Sequence, residues 1–303
     1  MTEATRIPYD EFGMFHENAQ EYDIAYDGPP VVRRESVPMG DGRQLSALVW
    51  GDGDPEMVFL HGGAQNAHTW DTVALALGRP LVAIDMPGHG HSDQALKSSV
   101  DVVTNCADIA TVITALAPRT KVVVGMSLGG MTTLALAAHA PQLVPSAVLV
   151  DVTPGVNDSK SSAISNFING PDSFPDFDAL LARTIEHNPT RTVASLRRGI
   201  LHNAMQRDDG SWVWRYARLR APGEGGHPDF AFLWDAVSNL AVPLLLVRGM
   251  LPQSVVDDDD EVELLRRAPH AQVAHVPNAG HSVQGDTPLE LAAMIARFVD
   301  EQA

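Results

Sequence analysis

The segment Val122-Val123-Val124-Gly125-Met126-Ser127-Leu128-Gly129-Gly130 constrains this chain more than any other. A β-branched run leads into a serine with glycines two residues to either side, and an Ala-, Leu- and Met-rich helical pattern follows as far as Pro141. Turning from buried strand to helix within one residue forces strained backbone angles on that residue. Side chains at the flanking positions would crowd the turn, and glycine at 125 and 129 relieves it. Such a turn presents the Ser127 hydroxyl at the carboxyl edge of a sheet, beside a helix N-terminus that favours developing negative charge. The G-x-S-x-G pattern recurs by chance, so the strand before it and the helix after it are what suggest a nucleophile.

The rest of the chain supplies a sheet for that strand. Residues 31–38 and 43–50 flank Gly40-Asp41-Gly42, a hairpin signal. Short apolar runs recur at 57–61, 81–85, 121–125, 147–151, 244–247 and 271–276. Helical patterns lie between them at 100–116, 128–140 and 288–299, the last after Thr287 as N-cap. Near-continuous apolar strands alternating with helices predict a mostly parallel sheet covered on both faces. From 153 to about 239 the rhythm breaks into helical patterns at 175–187 and 191–206 and the aromatic stretch Trp212-Val213-Trp214-Arg215-Tyr216. The expected organisation is an N-terminal arm (1–30), a core (31–153 and 240–303) and a largely helical cap (154–239).

Composition excludes several classes. At 45% hydrophobic and 19% charged residues over 303 positions, the chain reads as a globular protein. A net charge of −17 repels phosphate backbones and anionic lipid, so neither nucleic acid nor membrane is an expected partner. Cys106 is the single cysteine, and no apolar h-region stands at the N-terminus, which together predict a cytoplasmic protein. Oligomeric state is not legible.

Further segments, in order, resemble the α/β-hydrolase superfamily. Phe59-Leu60-His61-Gly62-Gly63 is similar to the loop after the family's third strand, and Asp85-Met86-Pro87-Gly88-His89-Gly90-His91-Ser92 to that after the fourth. Ala279-Gly280-His281 resembles the loop that carries the catalytic histidine. The resemblance implies an eight-stranded α/β-hydrolase sheet with the cap inserted after strand 6. It also implies Ser127 as nucleophile and His281 as base, with the backbone N–H groups of Gly63 and Leu128 as oxyanion hole. His61 then supports the oxyanion loop. His89 and His91 could suggest a metal pair, but no third ligand of suitable spacing accompanies them, and the expected cofactor is none.

The acid is ambiguous. Many family members carry it after the seventh strand, where Gln253 stands here, with the run Asp257–Asp260 a few residues beyond. That run also suits the N-terminus of a helix. Asp151 ends the sixth strand, 24 residues beyond Ser127. The interval fits one helix and one adjacent strand, and some subgroups, including haloalkane dehalogenases and zearalenone-type lactone hydrolases, place their acid there. Asp151 is the preferred acid and Asp257 the alternative.

The chemistry so implied is acyl transfer on a small or medium apolar carboxylic ester or lactone. A serine nucleophile argues against dehalogenase and epoxide hydrolase activity, which use an aspartate. A carbon–carbon bond hydrolase of the ring-cleavage-product type is the alternative, although its acid usually follows the seventh strand. A slow ligand-binding homologue is a third. His68, Met86, Met126, Trp212 and Trp214 are candidate pocket residues. Each of them, like Met205, could instead fill a core.

Overall fold

A computed structural model describes residues 6–94, 101–217 and 229–302. The glycine turn at 40–42 joins β1 (Val32–Pro38) to β2 (Gln44–Trp50) in an antiparallel hairpin. The later apolar runs form β3 (Met57–Leu60), β4 (Leu81–Ile84), β5 (Val122–Met126), β6 (Ala147–Val150), and, beyond a long insertion, two further strands, Leu244–Gly249 and Gln272–Val276. The insertion contains the short antiparallel pair β7 (Ala204–Gln206) and β8 (Trp212–Trp214), so the last two strands are β9 and β10. The main sheet has eight strands in the order β1-β2-β4-β3-β5-β6-β9-β10. β2 pairs antiparallel with β4, and every pairing from β4 onward is parallel.

Strand residues alternate between two apolar clusters, as a period of two requires. Val82 and Ile84 face one cluster and Leu81 and Ala83 the other; Leu245 and Val247 likewise oppose Leu244 and Leu246. Helices cover both faces. α1 (Phe15–Glu21), α2 (Asp71–Leu77) and α11 (Pro288–Asp300) contribute Phe15, Val73 and Ile295 to one side. α3 (Val102–Leu116), α4 (Leu128–His139), α8 (Trp234–Ser238) and α9 (Asp258–Arg267) contribute Ile109, Leu134, Val237 and Leu264 to the other. Position 100, where the helical pattern of α3 begins, lies outside the described residues.

Between β6 and β9 run α5 (Asp158–Ile168), α6 (Phe177–His187) and α7 (Val193–Asn203), followed by the β7/β8 pair and α8. The short α10 (Val283–Asp286) precedes α11. Three features depart from the sequence reading. α7 stops at Asn203 because residues 204–206 leave the helix to pair with β8. α5, whose serine-rich sequence carries little apolar signal, is capped by the Asn157 side chain on the N–H groups of Ser159 and Lys160. The N-terminal segment contains a helix whose Phe15 and Ala19 are buried.

That N-terminal segment bridges two parts of the molecule. Phe15 packs on Trp50 in the core, while Ile7, Tyr9 and Met14 pack on a separate cap cluster built from Phe174, Leu180, Ile200 and Trp212. Glu11 pairs with Arg34 and His68 on the core side. Glu21 pairs with the buried Arg198 of α7 and accepts from Thr192.

Candidate active site

Ser127 occupies the turn that its sequence setting demands, with φ 52° and ψ −118° at the N-terminus of α4. The neighbouring glycines are there for close approach. A Cβ on Gly125 would strike the Gly129 carbonyl, and one on Gly129 would strike the Leu60 carbonyl. The turn sits where β5 ends, with β3 and β6 to either side.

Asp151 follows β6 directly and also has positive φ, at 46°. Its carboxylate is fully buried and its hydrogen bonds account for its orientation. Oδ1 accepts from the Gly249 N–H (2.8 Å) and the Ser254 hydroxyl (2.6 Å). Oδ2 accepts from the Val255 N–H (3.1 Å) and lies 3.0 Å from His281 Nδ1. The loop after β9 thus donates hydrogen bonds to the carboxylate that ends the neighbouring strand. Ser254, which the sequence analysis did not single out, is one of those donors. With Nδ1 tied to a carboxylate, Nε2 is the His281 nitrogen left for other chemistry.

Asp257 makes no hydrogen bond or ion pair with His281. It caps α9, accepting from the Asp260 N–H, and Asp260 reciprocates on the Asp257 N–H. Lys160 of α5 binds both carboxylates, at 2.8 and 2.7 Å. The acidic run thus caps one helix and anchors another. Gln253 lines the cavity beside His281 and packs against Gly280.

The loop at 61–67 is held by neutral histidines. Burial pushes the His61 imidazole down to about 3, and burial lowers His89 as well. Both rings can therefore accept. His61 Nε2 takes the Met86 N–H at 2.9 Å, and His89 Nε2 takes the Ala64 N–H at 3.2 Å. Gly62 N–H is bound by Gln65 Oε1 at 3.1 Å. Gly63 lies between these two occupied amides, on the cavity wall with Leu128. The Asp85 loop is scaffold for the same region: its carboxylate accepts from Ala67 N–H, His91 N–H and Arg34.

A cavity of about 380 Å³ opens over these groups, lined by Gly63, Met126, Ser127, Leu128 and His281 from the core. The insertion closes it with Ser161, Ile164, Ser165 and Ile168 of α5, with His187 and Asn188 beyond. The wall is mixed rather than uniformly apolar. Of the other candidate pocket residues, Met86 is fully buried in the core cluster. Trp212 is buried against Phe177 in the cap's own cluster. Trp214 and His68 line a neighbouring cavity instead, and Met205 is exposed. Much of the cap side of the pocket comes from α5, whose contribution no motif announces.

His68 belongs to a buried polar group that local sequence does not reveal. Its Nδ1 lies 2.8 Å from Asp71 Oδ2 and its Nε2 3.1 Å from Glu11. Its ring stacks on His202 at 3.7 Å. Against the opposing effect of burial, the Asp71 charge raises His68 to about 9. His68, Asp71 and His202 together form a set able to hold a metal ion. A metal there would have to displace the existing His68–Asp71 bond. His89, by contrast, is committed to Ala64 and the Pro87 carbonyl.

Profile comparison decides the family: the alpha/beta hydrolase family matches residues 57–294. The chain belongs to that family. The Mycobacterium tuberculosis esterase Rv0045c is 44% identical to this hydrolase over 298 residues, covering 96% of each chain. A structure of that esterase, refined in work on its transition metal inhibition, superposes with a TM-score of 0.84 at 42% identity, over 97% of this hydrolase and all of that chain. The 2-(acetamidomethylene)succinate hydrolase of Mesorhizobium japonicum is 28% identical, over 81% of this hydrolase and 88% of its own length. No helix among the described residues is long and apolar enough to cross a membrane.

Proposed function

We propose that this hydrolase is a serine esterase in which Ser127 attacks the acyl carbonyl. His281 Nε2 takes the Ser127 proton as the new C–O bond forms, and Asp151 fixes the imidazole tautomer and stabilises its cation. The N–H groups of Gly63 and Leu128 are the oxyanion donors, each contributing about 3 kcal/mol to the transition state. Collapse breaks the ester C–O bond and His281 returns the proton to the leaving alkoxide. Water, with its proton passing to His281, then releases the acid and restores Ser127.

The observation that carries this reading is the His281–Asp151 hydrogen bond on the cavity lined by Ser127. Near-full-length similarity to an M. tuberculosis esterase supports the bond type. A small to medium carboxylic ester or lactone fits the cavity. An acid on β6 rather than after β9 speaks against the carbon–carbon hydrolase alternative. A single buried thiol, Cys106, is compatible with a reducing cytoplasm.

The test is hydrolysis of p-nitrophenyl butyrate by wild type and Ser127→Ala. We expect kcat to fall by a factor on the order of 10⁴ or more. Equal turnover in the variant, at unchanged thermal stability, removes Ser127 from the mechanism.

A further inference from the structure

Beside the Ser127 cavity lies a second one of about 170 Å³, between the core and α7. The two share Gln65, Phe167 and Asn188 in their walls. The second is more polar than the first, with Asn18, Tyr22, Asp71, Arg191, Ser195 and Gln284 in its walls beside apolar groups such as Leu196 and Trp214.

Arg191 is the unbalanced member. Its Nη2 donates to Ser195 Oγ at 2.5 Å, but its Nε is shielded from solvent with no hydrogen-bond partner. Among the described residues Arg191 makes no ion pair, although α7 contains one in Arg198. The nearby carboxylates are engaged elsewhere. Glu21 holds Arg198 and Thr192, while Asp286 accepts from Thr190 Oγ1 and Gly280 N–H, both at 2.9 Å. Burial accordingly pulls the Arg191 guanidinium below its ordinary range. Space for it is provided by Gly285, where a Cβ would collide with the guanidinium.

A guanidinium whose Nε is shielded from water without a partner, and which has no carboxylate in ion-pairing contact, is costly to hold, although the charges of Asp286 and Glu21 offset part of that cost. Its planar fork suits a carboxylate in a bidentate bond. We propose that this second cavity receives a carboxylate carried by the ester substrate, with Arg191 as the specificity-determining residue, so that the preferred substrates are acidic half-esters. The inference rests on the esterase reading above and narrows its substrate class. The overall charge of −17 opposes anions at long range, so the preference has to come from this local, enclosed cation.

The experiment compares mono-p-nitrophenyl adipate, suberate and sebacate with their methyl-capped neutral counterparts, using wild type, Arg191→Met and Gly285→Ala. In wild type, the best acidic ester should exceed its neutral counterpart about 30-fold in kcat/KM, the scale of an enclosed charge-assisted pair. Arg191→Met should bring that ratio to about one, and Gly285→Ala, by displacing the guanidinium, should lower it in the same sense. Circular dichroism and thermal midpoints check that both variants fold.

Two outcomes overturn the proposal: no acidic ester is preferred by wild type, or the preference survives Arg191→Met. If p-nitrophenyl butyrate is still cleaved in a Ser127-dependent way, the esterase reading stands while this inference falls. If no ester of any kind is cleaved, both fall. Free adipate that raises the thermal midpoint of wild type but not of Arg191→Met, with no ester preference, would assign the cavity to a separate anion and overturn its role in substrate choice.

Discussion

The carboxyl edge of the sheet and the cap above it are held together by different physics. At the sheet edge, short buried hydrogen bonds set each polar group: Asp151 has its oxygens filled from the β9 loop and His281, and neutral His61 and His89 fix the loop before α2. The cap has a small apolar cluster of its own, shares a few apolar residues such as Val156, Leu233 and Val237 with the core cluster, and is tied to the core by polar contacts. These are Glu21–Arg198, Lys160 with Asp257 and Asp260, and Asn203 Nδ2 on the Ala64 carbonyl at 2.7 Å. The difference implies that disturbing the edge alters kcat, whereas disturbing the ties alters substrate affinity and cap stability.

The largest effect that would sharpen this contrast lies in the two aspartates. Asp151→Asn should lower kcat by about 10³- to 10⁴-fold through the wrong imidazole tautomer. Asp257→Asn should leave kcat within about threefold and cost at most about 1 kcal/mol of stability at the α9 cap. Steady-state kinetics and urea unfolding on the pair read both quantities. A collapse of kcat in Asp257→Asn alone would reverse the assignment.

Next is the tie at α7. Arg198 is only 4% exposed, so Glu21→Gln leaves a buried guanidinium with only the more distant Glu17. The expected loss is about 3 kcal/mol, seen as faster hydrogen exchange in α7, with KM rising more than kcat falls. Equal loss of protection across β5 and β6 would show that cap and edge unfold as one unit, against the comparison.

Two buried histidines predict opposite pH limbs of stability. His61 titrates far below its unfolded value of 6.5, so the unfolded chain takes up the proton first and stability is lost as pH falls from about 6.5 towards 3. His68 titrates above its unfolded value, so its contribution is complete below about 6.5 and is lost as pH rises through 9. His68→Asn should flatten the alkaline limb, worth on the order of 3 kcal/mol, and leave the acid limb in place. Thermal midpoints from pH 5 to 10 test this. The smallest effect is at Ser254: Ser254→Ala removes one bond to Asp151 and should lower kcat by about tenfold or less, at roughly 1 kcal/mol.

Much of the sheet was legible because its strands are short, apolar and β-branched, and because the glycine turn at 40–42 specifies a hairpin. The eight strands and the α/β-hydrolase resemblance agree with the observed fold. α5 was missed because serine-rich helices bury too little to show a periodic apolar face. Met86 and Trp212 were candidate pocket residues because a large apolar side chain has the same sequence signature in a core as in a pocket. The N-terminal segment gave no signal, since its helix is short and is stabilised by contacts with residues such as Arg34, Trp50 and Arg198 that lie far along the chain.

What the sequence determined by itself is the turn at Ser127: glycines at 125 and 129 permit a strained serine between strand and helix, and that is local sterics. What the tertiary structure decided is which carboxylate meets His281. Asp151 and Asp257 are both plausible by spacing, and Asp257 is also a local helix cap, but only packing β6 beside β9 brings Gly249, Ser254 and Val255 onto the Asp151 carboxylate. Hydrogen bonds between residues about a hundred positions apart depend on strand order, and strand order is a property of the assembled sheet.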